Sequence, residues 1–307
     1  MSNEYTPVTM PAVLRSVMYT PGNNPRLLAK ACTLPADVIV LDLEDSVPPS
    51  EKMATRETVR DAIPAVAEGG ADVYVRVNAW ETGFTEGDVE AVAVPGLSGI
   101  VLPKAESDAD VTRLDAKLAD LEQKRGLKSG SIAIQPIIET AKGVLNAHQV
   151  GAASQRVRSL VFGAVDYARD MRVHLTREGW EVFHARSHVA VVARALGLVA
   201  VDSAWPGYAD ADGFLKDCRL SRQLGYEGRV LIHPSQIAPA HSVYGPSPED
   251  VERARETVAV FEEGLAKGLA SVPLHGSMVD WPVYRSARDL LATAELIAER
   301  ERGRHSP

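Results

Sequence analysis

Cysteine is scarce in this chain of 307 residues. Cys32 and Cys218 stand far apart with no C-x-x-C spacing. Two reduced, buried thiols in a cytoplasmic protein are therefore expected, with one isolated disulfide as the alternative. Long apolar runs are missing as well: each is broken by a charge or a glycine well short of the roughly 18 residues that a membrane helix needs. Met1 to Val13 have neither the basic start nor the apolar core of a secretory signal, so none is expected. Basic charge is in deficit, with 33 Lys and Arg against 41 Asp and Glu and a net charge of −8, which argues against a nucleic-acid partner. A local patch can still bind an anionic substrate, and a divalent cation would reverse the local sign. Neither G-x-G-x-x-G nor G-x-x-x-x-G-K-[ST] occurs, which counts against an open, doubly wound sheet. No histidine pair or cysteine set has zinc-ligand spacing. The four tryptophans and six methionines form no stripe and read as packing residues.

What is present is a rhythm. Short runs rich in Val, Ile and Leu recur at Ser16 to Tyr19, Val38 to Leu43, Val73 to Val77, Ile100 to Leu102, Ile132 to Ile138, Leu160 to Phe162, Leu198 to Val201 and Val230 to Ile232. Each has the character of a strand buried on both faces, and helical spacing fills the gaps. From Asp108 to Lys124, for example, Val111, Leu114, Leu118 and Leu121 form one stripe. His184 to Leu196 and Gly213 to Leu224 read the same way. Eight strand–helix alternations predict an α/β fold of the (β/α)₈ TIM-barrel type over residues 1–245, with the open parallel sheet as runner-up. Residues 246–307 read as an added helix–loop–helix extension. Ser247-Pro248-Glu249-Asp250 opens a helix to about Lys267, by N-cap, proline and acidic first turn. A loop over Gly268 to Met278 follows, then a second helix from about Pro282 to Arg300, and disorder is expected from Gly303 to Pro307.

Catalytic groups of parallel barrels gather at the carboxyl ends of the strands. Here those ends are polar. Strand two ends Leu41-Asp42-Leu43-Glu44-Asp45, where a period of two turns Asp42 and Glu44 toward the barrel axis. Strand three ends Arg76-Val77-Asn78, with Arg76 and Asn78 on one face. Lys104, Glu139, Asp166 and His233 end the fourth, fifth, sixth and eighth. So many acids at one mouth repel one another unless a cation joins them, and Mg²⁺, which takes one or two carboxylates and keeps waters, fits that role. Each residue also has a plainer reading. Glu44 or Asp45 can pair with a lysine or cap a helix, Glu139 can cap, and Asp166 can sit in a turn. Arg76 can either stabilise an oxyanion with its fork of donors or pair with Asp42 or Glu44. Lys104 suits a Schiff-base nucleophile as well as a metal-enolate site. His233 reads as a half-buried, satisfied side chain or a ligand contact, and Asp280, before Trp281-Pro282, as a helix cap.

The ordered motifs resemble the citrate lyase β-subunit/malyl-CoA lyase family of the HpcH/HpaI aldolase superfamily. They are Arg15-Ser16-Val17-Met18-Tyr19-Thr20-Pro21-Gly22-Asn23-Asn24-Pro25, Leu41-Asp42-Leu43-Glu44-Asp45-Ser46-Val47, Arg76-Val77-Asn78, Leu102-Pro103-Lys104-Ala105-Glu106, Ile137-Ile138-Glu139-Thr140, Phe162-Gly163-Ala164-Val165-Asp166-Tyr167, Ala200-Val201-Asp202-Ser203 and Ile232-His233-Pro234-Ser235-Gln236-Ile237. The resemblance implies a Mg²⁺-dependent CoA-ester lyase with the metal on Glu139 and Asp166. It implies Arg76 against the thioester or its enolate, and Tyr19 and Lys30 against the CoA ligand. Asn24 departs from the arginine of some malyl-CoA lyases, which removes one phosphate contact. Gly276-Ser277-Met278-Val279-Asp280-Trp281-Pro282 is similar to the lid motif of the malyl-CoA lyase branch, where an aspartate crosses a subunit interface. That implies Asp280 as a catalytic residue, a homotrimer or a multiple of trimers, and free CoA esters rather than carrier-bound citryl groups.

The resulting expectation is a carbon–carbon bond made or broken between an acyl-CoA (acetyl-CoA or propionyl-CoA) and a small 2-oxo acid such as glyoxylate or pyruvate. Substrate binding would fall to Tyr19, Lys30, Arg76 and Glu139, catalysis to Arg76 and Asp280, and ordering of metal-bound water to Glu44 and Asp45. The rival expectations are an acyl-CoA thioesterase or malate-synthase-like hydrolase on the same pocket, a metal aldolase without CoA, and a citryl-carrier lyase subunit that needs partners. No membrane partner is expected.

Overall fold

The computed structural model of the chain describes Tyr5 and residues 12–305, with side chains to Gly303. Eight strands close into one parallel barrel: β1 (Ser16–Pro21), β2 (Val38–Asp42), β3 (Asp72–Arg76), β4 (Leu97–Leu102), β5 (Ala133–Ile138), β6 (Ser159–Phe162), β7 (Val199–Asp202) and β8 (Gly228–Leu231). The ring is sealed where β8 pairs with β1, in the register Ser16↔Arg229, Val17↔Val230 and Met18↔Leu231. That pairing excludes the open sheet, which would leave two edges.

Helices fill the crossovers: α1 (Pro25–Ala31), α2 (Lys52–Glu68), α3 (Thr85–Val92), α4 (Asp108–Arg125), α5 (Ala141–Leu145), α6 (Ala147–Ala152), α7 (Ala164–Asp170), α8 (Trp180–Ala195), α9 (Ala211–Gln223) and α10 (Ile237–Tyr244). The apolar residues of the strands explain the arrangement. Leu41 and Leu43 point outward into the core that Val59 and Ile63 of α2 also enter, and all four are fully buried. The stripe Val111, Leu114, Leu118 and Leu121 of α4 is buried in the same core. Ser107 and Asp110 form a capping box at the start of α4, and Gly126 ends it in the left-handed region at φ 65°. At the amino ends of the strands the fork of Arg15 grips Asp37, with Nε–Oδ2 and Nη2–Oδ1 both at 3.0 Å.

Contacts divide the chain into two compact units, the barrel from Leu14 to Tyr244 and a second unit that starts at Gly245. Of the described N-terminal residues, Tyr5, Ala12 and Val13 group with the second unit, whereas the sequence reading set residues 1–245 together. The Tyr5 hydroxyl donates to Asp289 Oδ1 at 2.7 Å. The second unit contains α11 (Pro248–Ala266) and α12 (Trp281–His305), and Ser247 caps α11 through a capping box with Asp250.

Two expectations need correction here. Between the helices lies a hairpin, β9 (Val272–Leu274) with β10 (Ser277–Val279), where a plain loop was expected. His275 and Gly276 turn it, both at positive φ. It is anchored because Val272 and Val279 pack with Phe261 and Tyr284 in a small core. Gly303 to His305 also extend α12 instead of being disordered, and residues 306–307 lie outside the described part. Among the described residues, no helix is long and apolar enough to cross a membrane. Both cysteines are free; Cys218 is buried as expected, but Cys32 is only half-buried.

Leu118 has no exposed surface, so its stripe is a direct test of this packing. Leu118→Ala should lower the unfolding free energy by about 2–5 kcal/mol in urea titration; an unchanged midpoint would contradict the packing.

Candidate active site

A cavity of about 430 Å³ opens at the carboxyl ends of the strands, lined among others by Tyr19, Asp42, Arg76, Glu139, Asp166 and Ser203. These residues come from β1, β2 and β3 and from the segments that follow β5, β6 and β7, so closure of the barrel is what assembles them.

Arg76 is the hub. Its Nε and Nη2 donate to the two oxygens of Asp42, both at 2.7 Å. Nη1 lies 2.9 Å from Glu44 Oε2 and 3.6 Å from Asp45 Oδ2. The guanidinium also sits 5.0 Å from the centre of the Tyr19 ring. The plainer reading of Arg76, a buried ion pair, is therefore present. Those three short contacts use three of the five N–H groups, which leaves two for a ligand. Burial raises the Asp42 carboxyl, but the charge and hydrogen bonds of Arg76 outweigh it and hold the group below the usual range. The Tyr19 hydroxyl is pushed up, mainly by burial.

Glu44 bridges two cations, since Lys104 Nζ donates to its Oε1 at 3.0 Å. Burial still raises its carboxyl, against the pull of Arg76 and Lys104. For Lys104 burial alone would lower the amine, yet Glu44 overrides it and raises it. A Schiff-base lysine needs the opposite shift. The backbone of Lys104 is in the left-handed region, at φ 49°, and its N–H donates to Glu139 Oε1 at 2.9 Å.

Glu139 is buried and lines the same cavity as Asp166. Burial, then Asp166, then Glu44 push its carboxyl up to about 8. It does not cap a helix; Thr140 does, accepting from Gly143 N at 3.0 Å. Asp166 sits in the first turn of α7 and pairs with the exposed Arg169 at 2.9 Å. Gly163, between them, is required by space, because a Cβ there would lie 2.6 Å from Glu139 Oε2.

A divalent cation fits this pair. The donors are hard oxygens, the neighbouring acids make positive charge welcome, and the open cavity leaves positions for water and substrate oxygens. Among the described residues there is no group of three or more His, Cys, Asp and Glu placed to hold a metal ion.

Of the other expected residues, Asn78, His233 and Lys30 do not line the cavity. Asn78 does not line the cavity with Arg76: its Nδ2 donates to Leu43 O at 3.0 Å and Asp88 Oδ2 at 2.7 Å. His233 is exposed rather than half-buried, stacks on Tyr208 at 5.0 Å, and places Nδ1 2.7 Å from Ser235 Oγ. Lys30 is exposed on α1, outside the lining, and Asn24 caps that helix. Asp280 accepts from Val283 N at 3.3 Å, as a helix cap would. Ser203, not singled out from sequence as a site residue, lines the cavity and accepts from Ala164 N at 3.0 Å. A serine directly after a strand-end aspartate was the available signal.

The model of the HpcH/HpaI aldolase/citrate lyase family matches residues 15–234. The chain belongs to that family. It is 35% identical over 280 residues to the citrate lyase subunit beta of Leuconostoc mesenteroides, covering 91% of this chain and 93% of that one. It is 34% identical over 284 residues to the (3S)-malyl-CoA thioesterase of Cereibacter sphaeroides, covering 92% and 95%. Among solved structures, CitE of Mycobacterium tuberculosis in complex with magnesium, acetoacetate and coenzyme A superposes with a TM-score of 0.73 at 31% identity, covering 91% of this chain and 97% of that one. Family membership and this fold make the chain a carbon–carbon lyase on a TIM barrel.

The ion pair with Glu44 makes Lys104 a poor nucleophile. Borohydride added with pyruvate should leave the protein mass unchanged; a reduced adduct on Lys104 would restore the imine reading.

Proposed function

We propose that the chain is a Mg²⁺-dependent CoA-ester lyase, which joins or separates an acyl-CoA, acetyl-CoA or propionyl-CoA, and a 2-oxo acid such as glyoxylate or pyruvate through a thioester enolate. The observation that carries the reading is the pair Glu139 and Asp166 in one cavity with an arginine that has two unspent donors. The magnesium and coenzyme A of the CitE complex support it.

Glu139 and Asp166 would hold the cation. The chemistry such an ion supplies is polarisation of the 2-oxo acid oxygens and neutralisation of developing charge. In cleavage the substrate hydroxyl gives up its proton to water, the carbon–carbon bond breaks with its electron pair left on the thioester α-carbon, and the thioester is left as an enolate beside the free 2-oxo acid. Arg76, held in one orientation by Asp42 and Glu44, points fixed N–H groups at that negative charge, an effect of several kcal/mol. Tyr19 lies against the guanidinium and, with Lys30, would contact the CoA portion. Glu44 and Asp45 would order water around the cation.

Asp280 would protonate the enolate carbon, and in synthesis would remove the α-proton of the acyl-CoA. Its support is the similarity of Gly276 to Pro282 to a lid motif, and the firm hairpin directly before it. On this reading the lid of one subunit serves another in a homotrimer or a multiple of it, in the cytoplasm.

A second reading has its own support in the malyl-CoA thioesterase relative: water attacks the thioester in the same pocket and releases free CoA. Product mass separates the two. Malyl-CoA should yield acetyl-CoA and glyoxylate, EDTA should abolish turnover, and Asp280→Asn should lower kcat by at least about 100-fold while CoA binding stays within about threefold. Activity that survives complete metal removal, or malate with free CoA as sole products, would reject the lyase reading.

A further inference from the structure

Beside the main cavity lies a second one of about 260 Å³. The two share Ser203 and Ala204, which directly follow β7. The start of α7, from its N-cap Gly163 to Val165, continues that partition, with Gly163 and Val165 lining the main cavity and Ala164 the second. The hydrogen bond from Ala164 N to Ser203 Oγ ties the two parts of the partition together. Asp166 follows Val165, so a small molecule held at Glu139 and Asp166 has the second cavity as its immediate neighbour.

The second cavity is not built for an anion. Arg177, Arg186 and Arg229 reach it, and each is paired with a carboxylate, although the buried Nε of Arg229 has no hydrogen-bond partner among the described residues. Arg177 pairs with Asp210 at 3.0 Å. Arg186 donates through Nε to both oxygens of Asp202 and through Nη1 and Nη2 to Asp217 at 3.1 and 2.9 Å. Arg229 pairs with Asp217 at 2.6 Å. The rest of the wall that matters here is apolar: Ala164, Leu175, Val182, Trp205 and Pro206. Balanced charge and an apolar wall suit an uncharged hydrocarbon group.

We infer that this second cavity is a subsite for the alkyl side chain of the 2-oxo acid, reached over Ala204, so that acids longer than glyoxylate are accommodated and Leu175 and Val182 set the length limit. The inference rests on the lyase reading above. Neither residue lines the main cavity, and a hydrocarbon substituent gains from such a pocket what it loses when the pocket is filled.

The experiment compares kcat/KM for 2-oxobutyrate and for glyoxylate, each with acetyl-CoA and Mg²⁺, in the full chain and in Leu175→Trp and Val182→Phe. Circular dichroism confirms folding, and Leu175, being exposed, tolerates bulk where Val182 does not. The full chain should use 2-oxobutyrate within about tenfold of glyoxylate, and each folded variant should lower that ratio by about tenfold or more. A ratio unmoved in the folded variants, or a chain that uses glyoxylate and rejects 2-oxobutyrate, overturns the subsite while leaving the lyase reading intact. No turnover with either acid overturns the lyase reading and the subsite together.

Discussion

Carboxylates that a folded barrel forces together, away from water, repel one another, and the cost of that crowding organises the whole mouth of this protein. Asp42, Glu44 and Glu139 are all buried there, with Asp166 alongside. Arg76 and Lys104 answer the first two. Among the described residues no side chain pairs with Glu139, which accepts one backbone N–H, that of Lys104. The group responds by holding its proton, with its carboxyl pushed up to about 8. A divalent cation would remove the same repulsion and leave both carboxylates ionised, so the site is built with its charge balance incomplete.

The fold accepts two local penalties for this arrangement. Lys104 occupies a left-handed backbone conformation, which costs a side-chain-bearing residue roughly 1–3 kcal/mol, and in return its N–H points at Glu139. Gly163 forgoes a side chain because any Cβ would strike Glu139. The clamp of Asp42 on Arg76 is the third element. Removing one partner of such a buried pair costs about 3–5 kcal/mol, so the orientation of the guanidinium is strongly fixed. A donor that is already oriented does not have to reorganise when charge develops.

Much of this was legible in the sequence, for reasons specific to each element. The eight strands declared themselves because both faces of a parallel barrel are buried, which gives unbroken Val, Ile and Leu runs. The alternation Leu41-Asp42-Leu43-Glu44 correctly set outward leucines against inward acids, because a strand has no other way to turn. The hairpin at Val272 to Val279 was not legible, since three-residue strands carry too little pattern and are anchored by a distant Phe261. The direction of Asn78 was lost because it follows the last residue of β3, where strand alternation no longer holds, and Asp88 captures it. His233 failed to join the cavity for a related reason: it lies beyond the strand that was used to orient it. Lys30 was expected from motif resemblance alone, and it lies on α1. The roles of Glu139 and Asp166 came from motif resemblance, not spacing, because 27 positions separate them in sequence and only barrel closure makes them neighbours.

On the proposed reading a metal ion replaces the proton that Glu139 holds in the metal-free protein. Below its raised value the carboxyl is neutral in the metal-free protein and must ionise to bind a cation, so the proton is released to buffer. Calorimetric titration of Mg²⁺ in two buffers of different ionisation enthalpy counts that release. At pH 7 the account predicts close to one proton per ion bound, with the release fading as the pH rises past about 8. Binding with no proton release at pH 7, or release unaltered by Glu139→Gln, would contradict it.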